Sequence, residues 1–297
     1  MAGGRSLKHL KAHLLLASVV LVWAGSFAAI KHLLGAGLSA QEVAAARYLI
    51  AAPGFVLVLH STGWLPGVGR RDLLRIAVSG LLVVAVYHIS LNLGEEHTTS
   101  GTAAVVVGTA PAMTLAFAIA LGLERFSAWR AAGLGLAFAG VVVVVTLGSG
   151  QAISFGNAKG PLLVLLAPVS FALYNVIVKP VVGRVNAAAV SSAANLFGTL
   201  ALLPLLRPSA IDHARALGAW DWTLVVYLGL ICTLYGYTAW ATALRRLEAS
   251  RTVAYLYGVP VLAVMIGAVT LGERVTVWLA LGAALVVGGV AVAQVRR

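Results

Sequence analysis

Residues 123–140 read LERFSAWRAAGLGLAFAG, and residues 272–289 read GERVTVWLALGAALVVGG. A shift of 149 positions superimposes Glu124 on Glu273, Arg125 on Arg274, Trp129 on Trp278, Gly133 on Gly282 and Gly140 on Gly289. The same shift carries Pro111 onto Pro260. A single ungapped offset that aligns this many uncommon residue types marks two related halves, 1–148 and 149–297. A fainter echo pairs Ser26-Phe27-Ala28 with Ser170-Phe171-Ala172.

What each half contains follows from composition. Of 297 residues, 61% are hydrophobic and 10% charged, with a mean hydropathy of +0.97. A soluble domain carries about 25% charged residues, so the solvent this chain is built for is lipid. The net charge of +12 does not make a nucleic-acid surface, because the basic residues recur in small groups between apolar runs. The one cysteine, Cys232, lies inside such a run, which excludes a disulfide framework and a cysteine metal site. No cofactor is expected.

A spanning helix needs about 20 mainly apolar residues. Ten such runs can be read, at about 13–34, 42–60, 72–93, 98–121, 127–147, 159–179, 186–206, 220–242, 249–271 and 276–295. They are continuously apolar, not alternating as in a membrane barrel. The first run is too long for the core of a cleaved signal and reads as a spanning helix. Loops on one side collect fifteen of the 21 basic residues, from Arg5, Lys8 and Lys11 through Arg70, Arg71 and Arg75 to Arg296 and Arg297. The other side holds Lys31, Arg47, Lys159, Arg207, Arg215 and Arg274. Basic loops stay in the cytoplasm, so both termini are expected there, in agreement with an even number of crossings.

Five helices per half is an odd number, so the second copy is turned over relative to the first. The expected fold is all-α: ten transmembrane helices as two inverted five-helix repeats around a central cavity. Secondary carriers have this architecture, with a midplane site between the repeats that opens to each side in turn.

Several motifs together resemble the EamA-type branch of the drug/metabolite transporter superfamily. They are Trp23-Ala24-Gly25-Ser26-Phe27, Arg47, Tyr87-His88, Leu91-Asn92, Pro111, Leu123-Glu124-Arg125, Gly133 and Gly140, then Pro260, Leu271-Gly272-Glu273-Arg274, Gly282 and Gly289. The resemblance covers nearly the whole chain. It implies a carrier of the bacterial inner membrane that moves amino acids, other metabolites or drugs, often outward, and it does not fix the substrate.

The nine acidic residues all fall at helix ends or in loops. That argues against a carboxylate-driven antiporter and leaves facilitated exchange or coupling through another group. His88 is the one histidine well inside a run; it reads as a proton or substrate group, or else as a packed histidine. Arg47 can hold a substrate carboxylate, snorkel to the outer interface or pair with Glu95 or Glu96. Asn92, Asn175 and Asn195 need partners across helices or in a polar cavity.

Trp23, Tyr87, Tyr174, Tyr235, Tyr255, Tyr257 and Trp240 are candidates to line that cavity. Trp220, Trp222 and Tyr227 suit an interfacial belt. Pro111 and Pro260 should kink helices 4 and 9, each freeing a carbonyl. Glu124 and Glu273 should satisfy backbone donors or ion-pair locally, with Ser127 and Thr276 as helix caps. Gly133/Ala137 and Ala284/Gly288 permit close helix contact, within one chain or across a homodimer.

The expected activity is secondary transport of a small polar metabolite, an amino acid first, with export favoured. A broad-specificity drug efflux carrier is the alternative. A membrane enzyme is disfavoured by scattered histidines and peripheral carboxylates, and no phosphate-binding loop suggests an ATP-driven step.

Overall fold

The computed structural model describes residues 2–123, 126–148, 155–244 and 255–294. Every element in it is helical. Eight helices are long and apolar enough to cross a membrane. They are α1 (Ala2–Gly35), α2 (Ala40–Ser61), α3 (Arg70–Glu96), α4 (Ser100–Ala120), α5 (Ala128–Leu147), α6 (Phe155–Val182), α7 (Ala187–Leu205) and α8 (Ala219–Trp240). Two shorter apolar helices follow, α9 (Tyr255–Leu271) and α10 (Val277–Gln294). A short helix, Ala210–Ala216, crosses between α7 and α8.

Local chemistry sets the ends. Ser39 and Glu42 form a reciprocal capping box at α2. Thr99 caps α4, accepting from the Thr102 amide at 3.1 Å. Ser127 caps α5 at 3.2 Å and Thr276 caps α10 at 3.1 Å, as their side chains suggested. Gly272, with φ +65°, supplies the left-handed residue that stops α9.

Pro111 and Pro260 each stand near the start of a helical segment, next to a break in the ladder. The α4 ladder breaks at Gly108–Thr109, and Pro111 sits in the first turn of the segment Ala110–Ala120. Pro260 is likewise near the start of Gly258–Leu271, after a 3₁₀ turn at Tyr255–Tyr257. There the missing amide costs nothing, because first-turn amides lack helical partners anyway. The two interruptions touch: a Cβ on Gly108 would lie 2.8 Å from Cγ of Pro260.

The most extensive helix pair is α5 with α10. Its seam is built from glycine. Gly133 lies against Ala293 and Gly289, and Gly140 against Gly282 and Val286. Low numbers on one helix meet high numbers on the other, so the pair is antiparallel. Gly288 faces open space, so only the first of the two small-residue pairs is used between these helices.

The remaining contacts come in matched sets. α1 packs on α9 as α6 packs on α4; α3 packs on α7 as α8 packs on α2; α3 packs on α6 as α8 packs on α1.

Candidate functional site

Helices α3 and α8 each change from α to π geometry part-way along, at Leu81–Val86 and Tyr227–Tyr235. An extra residue in a turn displaces side chains and carbonyls from their regular partners, and such turns concentrate at functional sites. Here the freed groups are used. Trp23 of α1 donates its indole N–H to the Cys232 carbonyl at 2.9 Å, and the Thr233 hydroxyl donates back to Leu228 at 2.8 Å. A glycine stands at the equivalent place in both helices: a Cβ on Gly80 would lie 2.0 Å from the Ala194 carbonyl, and one on Gly229 would lie 2.9 Å from that of Arg47. Only glycine permits so close a backbone approach.

Around these turns the structure gathers aromatic rings from five helices. His88 is edge-on between Tyr48, at 5.1 Å, and Tyr87, at 4.8 Å. The chain of rings continues from Tyr87 to Phe171 at 6.2 Å and on to Tyr174 at 5.8 Å. Trp23 packs on Tyr237 at 5.8 Å and on Trp240 at 5.6 Å. Tyr237 joins the two groups, lying beside Tyr48, Tyr87 and Tyr174. Tyr87, Tyr174 and Tyr237 are each partly buried within this group.

Arg47 borders this group. Only 5% exposed, it does not snorkel. Its Nε donates to the Thr233 hydroxyl, and its guanidinium lies 5.8 Å from the Tyr48 ring centre. Among the described residues it makes no ion pair, and Glu95 and Glu96 are not its partners. Its charge acts on Tyr87, His88 and Tyr237.

The asparagines are less central than expected. Asn175 bonds back to the Phe171 carbonyl at 2.9 Å, and Asn195 to that of Ser191 at 2.8 Å. Asn92 reaches across to the Ala40 carbonyl at 2.9 Å, tying α3 to the start of α2. Tyr235 is engaged elsewhere, with Ser18 at 2.6 Å, and Tyr257 points to the Val290 carbonyl at 3.4 Å. Tyr255 bonds His13 at 2.7 Å. Tyr227 is not a belt residue: its hydroxyl donates to Val22 at 2.7 Å inside the bundle. Trp220 and Trp222 are exposed, as a belt requires.

Glu273 does satisfy backbone donors, but across the fold. It accepts from the Ser100 amide at 2.7 Å, the Ser100 hydroxyl at 2.9 Å and the Gly101 amide at 3.2 Å, so it caps α4 from the other half. Glu124 lies outside the described residues.

Two cavities, of about 600 and about 250 Å³, lie away from the aromatic group, between α2 and the segment that carries Ala210–Ala216. The larger has apolar walls that include the exposed Leu49 and Trp222. With few polar groups it offers little to fix an orientation, so the Arg47 region is the stronger candidate.

Sequence reasoning missed Tyr48, Phe171, Thr233 and Tyr237. A signal for part of this was available: the offset of 149 that aligns the quoted stretches also pairs Gly80 with Gly229 and Asp72 with Asp221. Those last two are equivalent in the structure as well. Asp72 binds Arg184 at 2.9 Å and Arg75 at 3.2 Å at one end of the bundle, and Asp221 binds His32 at 2.9 Å at the other.

Comparison with known proteins decides the family. The model of the EamA-like transporter family matches the chain twice, over residues 10–146 and 158–294. The chain belongs to the EamA-like transporter family. An uncharacterized transporter of Archaeoglobus fulgidus is 32% identical, covering 97% of this chain and 100% of that protein. A probable terminal-alkyne amino-acid exporter of Streptantibioticus cattleyicolor is also 32% identical, over 91% and 89%. An uncharacterized inner membrane transporter of Escherichia coli is 31% identical, over 71% and 68%. One crystal structure shares the fold with a TM-score of 0.64, at 23% identity and 95% coverage of both chains. This EamA-like chain is therefore a multi-pass membrane protein of a transporter family.

Proposed function

We propose that this EamA-like chain is a secondary carrier that exports a small amino acid or similar zwitterion across a bacterial inner membrane by alternating access. One observation carries the reading. Arg47 is buried without an anionic partner among the described residues and is flanked by Tyr48, Tyr87, His88 and Tyr237. A buried charge without a counter-charge is costly, and a substrate carboxylate reaching Arg47 would pair with it while aromatic faces covered the rest of a small molecule. Trp23, Tyr174 and Trp240 complete the wall.

Ten crossings arranged as two inverted repeats, 1–148 and 149–297, fit the antiparallel α5–α10 seam, the matched contacts and the paired π segments. The twofold family match fits as well. Both termini are then cytoplasmic. The likeness to a named amino-acid exporter supports the substrate class. The abundance of rings also suits broader drug efflux, which the same experiment separates.

The test is counterflow. Proteoliposomes are loaded with a mixture of unlabelled amino acids, and uptake of trace labelled amino acids is followed with no imposed gradient. Transient accumulation of one label, lost in an Arg47→Leu variant, is expected. Absence of counterflow for every amino acid, with folded protein, rejects the substrate class. Efflux of several unrelated cationic drugs in its place establishes the alternative.

A further inference from the structure

Three polar residues follow one face of α3 at helical spacing: His88, Asn92 and Glu95. Positions i, i+4 and i+7 stack above one another along a helix. All three are buried, with exposures of 3%, 1% and 0%. Each also holds a buried polar atom with no hydrogen bond: Nε2 of His88, Oδ1 of Asn92, and both carboxyl oxygens of Glu95. At 1.5 Å per residue the stripe spans about 10 Å. It leads from the ring cluster at His88 toward the far end of α3.

The surroundings of Glu95 are specific. Lys31 of α1 spends its ammonium on the backbone carbonyls of Glu95 and Thr98 and makes no ion pair with the carboxylate. Glu273, which caps α4, is the other charge that acts on Glu95. From α6, Val164 and Gly160 pack against the neighbouring Gly94. At the inner end of the stripe the groups facing His88 are Arg47 and Tyr48 of α2 and Tyr87 of α3. An ionised carboxylate with neither oxygen bonded is strongly disfavoured in such a place. Protonation removes the charge and creates a donor, and Asn92 Oδ1, one turn away on the same face, is an acceptor. In lipid, buried ionisable groups of this kind mark proton relays.

We propose that Glu95 couples proton movement to transport, with Asn92 and His88 forming the polar track from it to the central ring cluster. This rests on the carrier reading above. A proton from the outer side forms an O–H bond at Glu95. That bond breaks when the proton moves on as a hydrated proton, whose hydrogen bond Asn92 Oδ1 accepts, to His88 Nε2; the imidazolium then releases it toward the cytoplasm, and the carboxylate and the neutral imidazole are restored. One substrate leaves as one proton enters, with no redox partner needed.

The experiment uses the full chain in proteoliposomes holding an internal pH dye, with the labelled amino-acid mixture as probe. Counterflow is measured without a gradient, and accumulation and internal pH with one. Glu95→Gln is expected to keep counterflow and to lose gradient-driven accumulation and substrate-induced proton flux by about tenfold or more. Glu95→Asp, which keeps a carboxyl, should retain part of both. Infrared difference spectra of the purified chain need no substrate, and should show a protonated, deuterium-exchangeable carboxyl that is missing in Glu95→Gln. Counterflow without proton-driven accumulation in the wild type, or full coupling in Glu95→Gln, overturns the proposal. Failure of counterflow in the wild type rejects the amino-acid reading. In that event the infrared arm decides on Glu95 alone, and a spectrum unchanged by Glu95→Gln overturns its assignment.

Discussion

Arg47 shows how much one residue can be asked to do. It holds a buried positive charge, donates a hydrogen bond to Thr233 and has a tyrosine face at 5.8 Å. If its work is to pair with a substrate carboxylate, its removal should hurt only ligands that carry one. Hydrogen bonds to charged groups contribute about 1.5–3 kcal/mol, or roughly tenfold to a hundredfold in affinity. In counterflow inhibition the wild type should therefore favour an amino acid over its amide by that factor, and Arg47→Leu should bind both equally weakly. Arg47→Lys should recover part of the preference, since it restores the charge without the two-pronged geometry. Equal losses for acid and amide would assign Arg47 to holding α8 through Thr233. The special character of Arg47 and His88 was legible in the sequence, because an ionisable residue inside an apolar run is conspicuous. That of Glu95 was not. Its position near the end of a run suggested water, and only the packing of α1, α4 and α6 around it makes it a buried group.

Among the elements, the α5–α10 pair makes the sharpest claim about sequence. Gly288 and Gly289 are adjacent and look alike in the chain, yet the helix turns them to different surroundings. A Cβ on Gly289 would lie 2.3 Å from the amide of Ala137, a backbone atom that cannot swing aside, whereas one on Gly288 meets nothing within 4 Å. Overpacking of this sort costs about 1–3 kcal/mol, while an unhindered Gly→Ala change in a helix gains up to about 1 kcal/mol. Gly289→Ala should thus lower the unfolding midpoint in detergent by several degrees, and Gly288→Ala should leave it unchanged or raise it. Scanning fluorimetry of both variants checks this, and equal shifts would place the seam wrongly. The spans of α2 to α8 were readable to within a few residues, since length and hydropathy fix them, whereas α1 begins at Ala2, well before the apolar run read from 13. The π segments were not, because nothing in YLGLICTLY at 227–235 distinguishes a wide turn from a regular one without the neighbours that draw its carbonyls away.

For the whole molecule, the two equivalent ion pairs suggest how opposite ends are closed in turn. Asp72 with Arg184 ties the start of α3 to the end of α6, and Asp221 with His32 ties the start of α8 to the end of α1. Under the proposed topology the first pair lies on the cytoplasmic side and the second on the outer side. Both pairs are partly exposed, so each contributes on the order of 1 kcal/mol or less. That is enough to matter, because a carrier's two end states differ by only a few kcal/mol, and 1 kcal/mol shifts their ratio about fivefold. Asp72→Asn should loosen the cytoplasmic end and favour the inward-open state; Asp221→Asn should do the reverse. Single cysteines in the ring cluster, at Phe171 for example, report the shift through their rate of labelling by an impermeant maleimide from either side of a sealed membrane. Labelling from the cytoplasmic side should rise severalfold in Asp72→Asn and fall in Asp221→Asn, with the opposite pattern from outside. The native Cys232 is buried and can be replaced by serine beforehand. Changes of the same sign in both variants would mean that the pairs only brace the bundle. Opposite signs require two ends that compete for closure, as alternating access between inverted repeats demands.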